Sequence, residues 1–239
     1  MYNHSMIKAN NIWHSPVNTY VHLDKLAKQI GYDALDQKPQ YQPHREARVA
    51  AIMAFALFGR LKRPTFLQLF RPDPPDAILM QPSIDTYGDR DITQLEITRY
   101  IGSPRESLLQ QLIRSGKTPK GWHKYNENYI MVVNVGIGLA VDYPEITDYL
   151  NKNNTPFPVW TVQEISSHPD TIAKVTIVNP EIYEMTINIG EAAYLFNKLK
   201  LPGVIVSKRA GSVEKVRLEY NKSKGPDLRA PWETIGLLE

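Results

Sequence analysis

The chain has 239 residues, 42% hydrophobic and 22% charged, with a net charge of +3, which suits a soluble globular protein of one sizeable domain, or of a domain with an extension. It contains no cysteine, which excludes disulfides, thiolate zinc sites and cysteine nucleophiles. The longest apolar stretch, Val49 to Phe58, is too short to span a bilayer. No basic segment followed by an apolar core opens the sequence, so a cytoplasmic protein without membrane association is expected.

Met1 to Pro16 has no periodicity and reads as irregular. Val21 to Ile30 repeats apolar residues at helical spacing, and Gly31 offers a stop. Asp33 to Pro43 is polar with two prolines and reads as a loop. Pro43 to Phe58 carries the strongest helical signal: Ala, Met and Leu favour it, the proline lies at its start and Gly59 follows. Its second half is apolar nearly all round, which demands deep burial.

Thr65 to Phe70 and Ala77 to Gln81 read as short strands, and Ser83 to Asp91 as a turn in which Tyr87-Gly-Asp-Arg-Asp carries hairpin chemistry. Ile92 to Ile101 is the next strand. Ser103-Pro-Arg-Glu106 fits an N-cap, a first-turn proline and a capping-box acid. Leu108, Leu109, Leu112 and Ile113 would then form the buried stripe of a helix ending near Ser115-Gly116. Lys117 to Asn128 is a basic and aromatic loop. Tyr129 to Val135 is a continuous apolar run, as expected of a strand covered on both faces. Tyr143 to Lys152 reads as a helix and Pro158 to Ile165 as a strand. Strands follow at Lys174 to Val178 and Tyr183 to Ile189, a helix at Glu191 to Leu199, and strands from Val204 and Val213. This order predicts an α/β protein with a mixed sheet flanked by helices. We divide it into an N-terminal helical segment (1–41), a core (42–165) and a C-terminal α+β extension packed on that core (166–239).

Within this order, two apolar strand-like runs each carry an acid, Asp76 and Glu96. An apolar run excludes an unpaired carboxylate, because burying one costs several kcal/mol (about 3–5 when a partner is missing). The two acids therefore need partners: a divalent cation, backbone donors or an arginine. Alternation puts Gln94, Glu96, Thr98 and Tyr100 on one face of the strand and Leu95, Ile97 and Arg99 on the other.

Pro75-Asp76, a gap of about twenty residues, and Glu96-X-Thr98 in an apolar strand resemble the motif of the PD-(D/E)XK nuclease superfamily, over roughly residues 42–165. The resemblance implies a restriction-endonuclease-like core and a metal-dependent DNA endonuclease. Asp76 and Glu96 would then hold Mg²⁺ or Mn²⁺, and Glu46, at the start of the buried helix, would stand where many such nucleases carry an additional acid. It implies catalytic positions at Asp76, Glu96 and Thr98. Thr98 replaces the lysine of the motif, so an active enzyme needs a cation from elsewhere, with Lys117, Lys120 and Arg99 as candidates. A catalytically inactive member that binds nucleic acid or a protein partner is the other reading, and enzymes of this type commonly form homodimers.

Charge distribution adds a nucleic-acid expectation. Arg105, Arg114, Lys117, Lys120 and Lys124 crowd one region, a second cluster runs from Lys198 to Lys224, and the stretch between Gly138 and Glu191 is acidic. Arg99, Lys117, Lys120 and Lys124 are candidate phosphate contacts, and Trp122 and Tyr125 could stack on bases. A solvated surface loop explains the same composition. No Walker-type loop, G-x-G-x-x-G, paired-histidine zinc motif or G-x-S-x-G elbow occurs.

Overall fold

A computed structural model describes residues 12–69, 75–82, 90–103, 105–117, 129–166, 171–201 and 204–206. At its centre lies helix α3 (Gln42–Leu61), in which every residue from Val49 to Phe58 is buried. A helix apolar on all sides must be covered on all sides. The sheet lies beneath α3, and helices α1 (Pro16–Ile30) and α6 (Ile189–Lys198) pack against it. The helix does not stop at Gly59. It runs on to Leu61 and closes at Lys62, whose left-handed backbone (φ 55°) lets its N–H reach the Phe58 carbonyl.

The fold is mixed α/β. Among the described residues the sheet has nine strands: β1 (Ile12–His14), β2 (Phe66–Leu69), β3 (Ala77–Pro82), β4 (Arg90–Tyr100), β5 (Tyr129–Val135), β6 (Val159–Ser166), β7 (Ile172–Ile177), β8 (Tyr183–Asn188) and β9 (Val204–Val206). Their order across the sheet is β8-β7-β6-β5-β4-β3-β2-β1-β9. The β4-β5 and β5-β6 pairs are parallel and the others antiparallel. Parallel neighbours need a crossover, and α4 (Leu108–Arg114) and α5 (Tyr143–Lys152) supply them. Both crossover helices pack on one face, against Met131, Val133 and Val159. The other face, with Leu95, Val132 and Val162, belongs to α3. The sheet runs continuously through the three segments drawn from the sequence.

Several local expectations are corrected. Ile12–His14 is a strand rather than irregular chain, and Ser15 caps α1 by accepting the Asn18 N–H. The polar stretch after Gly31 is not a loop: it forms α2 (Tyr32–Gln37) and a 3₁₀ turn at Pro39–Tyr41. Arg45 holds this stretch by donating to the Leu35 and Lys38 carbonyls, each at 2.9 Å. Helix α4 starts later than its sequence suggests, because Ser107 and Gln110 make the reciprocal capping box. Glu106 is drawn instead to Arg114, whose guanidinium holds its carboxyl below the usual carboxylate range. Ile113 falls off the buried stripe and is exposed. Pro82, Arg90 and Asp91 belong to strands, while the turn at 83–89, the loop at 118–128 and the strand from Val213 lie outside the described residues.

One ionic contact ties α3 to the sheet. Arg48 donates to Glu164 of β6 and to the Tyr20 hydroxyl of α1. Burial opposes the Arg48 charge, but Glu164 and Tyr20 more than offset it and hold the guanidinium above its ordinary range. Both side chains are about one-fifth exposed (21% and 18%), so the pair is shielded without being dry. Arg48→Met strands the Glu164 carboxylate and is expected to destabilise the fold by about 2–4 kcal/mol. Adding Glu164→Gln removes that stranded charge and recovers part of the loss. Urea unfolding of the three variants measures the coupling.

Candidate functional site

The site begins where β3 is too short for its neighbour. The β3-β4 ladder runs from Pro82↔Arg90 to Ala77↔Leu95, but β4 continues to Tyr100 beside β5. Among the described residues, the edge of β4 beyond Leu95 therefore has no strand on the β3 side. Asp76 takes over there. Its own N–H donates to the Leu95 carbonyl at 3.0 Å, and its Oδ2 accepts the Ile97 N–H at 2.6 Å. The side-chain oxygen stands in for the missing strand carbonyl and satisfies an amide that would otherwise be left unpaired.

Continuing the register sets Asp76 opposite Glu96. Glu96 and Thr98 pair with Met131 and Val133 of β5 and share their face, the α4/α5 side, as alternation requires. Glu96 is nearly buried, its side chain 8% exposed. Lys117, at the end of the α4 segment, donates from Nζ to Glu96 Oε1 at 2.6 Å. Glu96 Oε2 is buried and, among the described residues, has no hydrogen-bond partner. The acid thus has one neutralised oxygen and one unspent oxygen. Its partner is one of the three cations named from sequence.

A cleft of about 340 Å³ lies along β4 at Ile97, Thr98 and Arg99, where the Arg99 carbonyl accepts from Gln111 Nε2 of α4 at 2.7 Å. Ile97, Thr98 and Arg99 form its floor, Arg45 and Glu46 of α3 one wall, and Lys117 the opposite side. Glu46 accepts from Gln42 Nε2 at 2.7 Å. Arg99 lies on the α3 face, paired with Asn134 of β5, which also lines the cleft. The structure brings together Glu46, Thr98, Arg99 and Lys117, with Glu96 bonded to Lys117. Asp76 stands at the end of the same strand pair. Lys120, Trp122 and Lys124 lie outside the described residues. A second cleft, of about 280 Å³, opens between Phe55, Phe58, Tyr183 and Leu195, away from both acids.

Three polar lining residues, Gln42, Arg45 and Asn134, escaped the sequence reading. Asn134 had a signal: it is the one polar residue in the run Tyr129–Val135. Arg45 had none beyond its place beside Glu46.

The donor set suits a hard divalent ion in part. Asp76 and Glu96 offer carboxylate oxygens, the buried Oε2 of Glu96 lacks any partner among the described residues, and such ions prefer oxygen ligands with water completing the shell. Among the described residues no group of three or more His, Asp or Glu side chains lies close enough to hold an ion together. An ion here would use two carboxylates and draw its remaining ligands from water and substrate. No protein-family model matches the chain, and no curated protein matches it. Among the described residues no helix is long and apolar enough to cross a membrane.

His44 lies beside the cleft helix start, edge-on to Tyr41 at 5.7 Å, with Nδ1 buried and, among the described residues, unpartnered. Burial, and then the charge of His22, push its pKa below the ordinary value of 6.5. The unfolded chain therefore takes up this proton first. Stability is intact above about 6.5 and falls as pH drops through that value towards the folded pKa. His44→Gln is expected to flatten this part of the dependence, read from thermal midpoints across the acid range.

Asp76 has a structural duty that can be separated from any chemical one. Asp76→Ala leaves the Ile97 amide unpaired and is expected to cost about 1–3 kcal/mol. Asp76→Asn keeps an acceptor oxygen and should lose less than half as much. Denaturant midpoints of the two variants provide the comparison.

Proposed function

We propose that the chain is a metal-dependent phosphodiesterase of the PD-(D/E)XK nuclease type, acting on DNA. The observation that carries this reading is the fork: Asp76 immediately precedes β3, Glu96 sits opposite on β4, and Lys117 contacts Glu96. The element order supports it. Helix α3, the antiparallel meander β2-β3-β4, helix α4 and the parallel strand β5 follow one another as a restriction-endonuclease-like core requires.

In this reading Asp76 and Glu96 hold Mg²⁺ or Mn²⁺, with Glu46 at the cleft wall. The ion would polarise a phosphoryl oxygen and lower the pKa of a bound water. Thr98 brings a hydroxyl but no charge to the Glu96 face, and Lys117 is the cation within reach of that face. Arg99 and Arg45 line the cleft where a phosphate would sit, a setting in which guanidinium groups position a backbone without reading its sequence. Nearly enclosed charges act strongly on a developing oxyanion because little water screens them. A homodimer would present two such forks to the two strands of a duplex.

A second reading has its own observation. Thr98 supplies no ammonium, and Glu96 is already neutralised by Lys117. A chain of this build could bind nucleic acid or a protein partner without cutting. Supercoiled plasmid incubated with the pure protein and Mg²⁺ or Mn²⁺ decides between them. Nicking by the wild type, slowed about 100-fold or more by Asp76→Asn and by Glu96→Gln, supports the nuclease. Metal-dependent cleavage unaffected by either substitution removes it. Retention of plasmid in a gel shift without cleavage moves the weight to the binding reading.

A further inference from the structure

We propose that Lys117 is the resident counter-ion of Glu96, and that a divalent ion enters this site by displacing it. The inference rests on the metal role proposed above for Glu96 and concerns how that site is filled.

A carboxylate only 8% exposed cannot stand unpaired at low cost. Lys117 meets this need through Oε1, at 2.6 Å, and leaves Oε2 buried and, among the described residues, unpartnered. The arrangement is therefore only half satisfied. An ion that engages both oxygens would satisfy it better, but it cannot share Oε1 with the ammonium. Two cations on one carboxylate repel strongly in so dry a setting.

Lys117 can leave. It sits just past the last turn of α4, its side chain 20% exposed, on a flexible four-carbon stem that a compact ammonium moves easily. It also borders the cleft floored by Thr98 and Arg99. A phosphate in that cleft gives the displaced ammonium a new anionic partner. Metal and phosphate then favour one another: each removes the obstacle to the other, and the coupling is reciprocal. A lysine at position 98 would be fixed to the strand beside Glu96. One arriving from α4 exchanges partners through its own rotamers, which gives Thr98 a consequence beyond the loss of a charge.

The test uses Mn²⁺ alone, titrated by calorimetry into the full chain at mildly alkaline pH. Lys117→Gln keeps a donor for Glu96 Oε1 without the charge, so the fold has its hydrogen bond, and Lys117→Met removes both. Lys117→Gln is expected to bind Mn²⁺ about tenfold or more tightly than the wild type, with a correspondingly larger rise in thermal midpoint at saturating metal. Lys117→Met should shift in the same direction wherever it remains folded. Adding Glu96→Gln to Lys117→Gln should abolish the gain. If Lys117→Gln binds equally or more weakly than a wild type whose binding depends on Glu96, the counter-ion role is overturned while the metal site stands. If neither protein shows Glu96-dependent binding, the metal reading falls and this inference falls with it.

Discussion

The geometry of the fork depends on one mismatch of length. β4 outruns β3, and an unpaired strand edge inside a protein is costly unless something takes its amides. Asp76 does so with a side-chain oxygen on Ile97 N–H. That single bond marks where the ladder ends, sets Asp76 opposite Glu96 and leaves Thr98 and Arg99 to line the cleft. The same carboxylate is thus a structural cap and a candidate ligand. One oxygen engaged by the backbone restrains the group's orientation without ordering it at the moment of binding, which is how preorganised sites reduce the entropy lost on association.

The supporting layers hold that edge in place. Helix α3 is buried around its whole girth through Phe58, so it cannot tilt without opening contacts to the sheet and to both helices beside it. Its start, carrying Arg45 and Glu46, is held by α2 through Arg45 and by β6 through Arg48. On the opposite face α4 delivers Lys117 to Glu96. The cleft is therefore lined from both layers, by α3 on one side of the sheet and by Lys117 beyond α4 on the other.

Much of this was legible because it is periodic. The apolar run from Val49 to Phe58 announces a buried helix, Tyr129 to Val135 a covered strand, and alternation alone places Glu96 and Thr98 on one face and Arg99 on the other. What was not legible depends on partners distant in sequence. The stretch after Gly31 is polar and proline-bearing, and it is helical where Arg45 gathers its carbonyls. Ser103 with Glu106 and Ser107 with Gln110 offer the same local capping signal. Arg114 decides between them by claiming Glu106. Lys117, Lys120 and Arg99 were equivalent as cations on paper. Alternation sets Arg99 on the other face, and only the crossover through α4 brings Lys117 to the Glu96 side.

The strand order has a kinetic side. Eight strands lie beside the strand that precedes or follows them in sequence; from β2 to β8 the pairings close through short connections or a single crossover helix, whereas β1 reaches β2 only across α1, α2 and α3. β9 is the exception: it joins β1, from the opposite end of the described chain, as Ile12↔Val206, Trp13↔Ile205 and His14↔Val204. Closing so large a loop loses more chain entropy than any neighbouring pair, and only three residues on each side repay it. This seam belongs to the late-forming, first-opening part of the fold. Trp13 is fully buried in the seam, so with the other three tryptophans replaced its fluorescence follows the outer edge of the sheet separately from the strands around the fork.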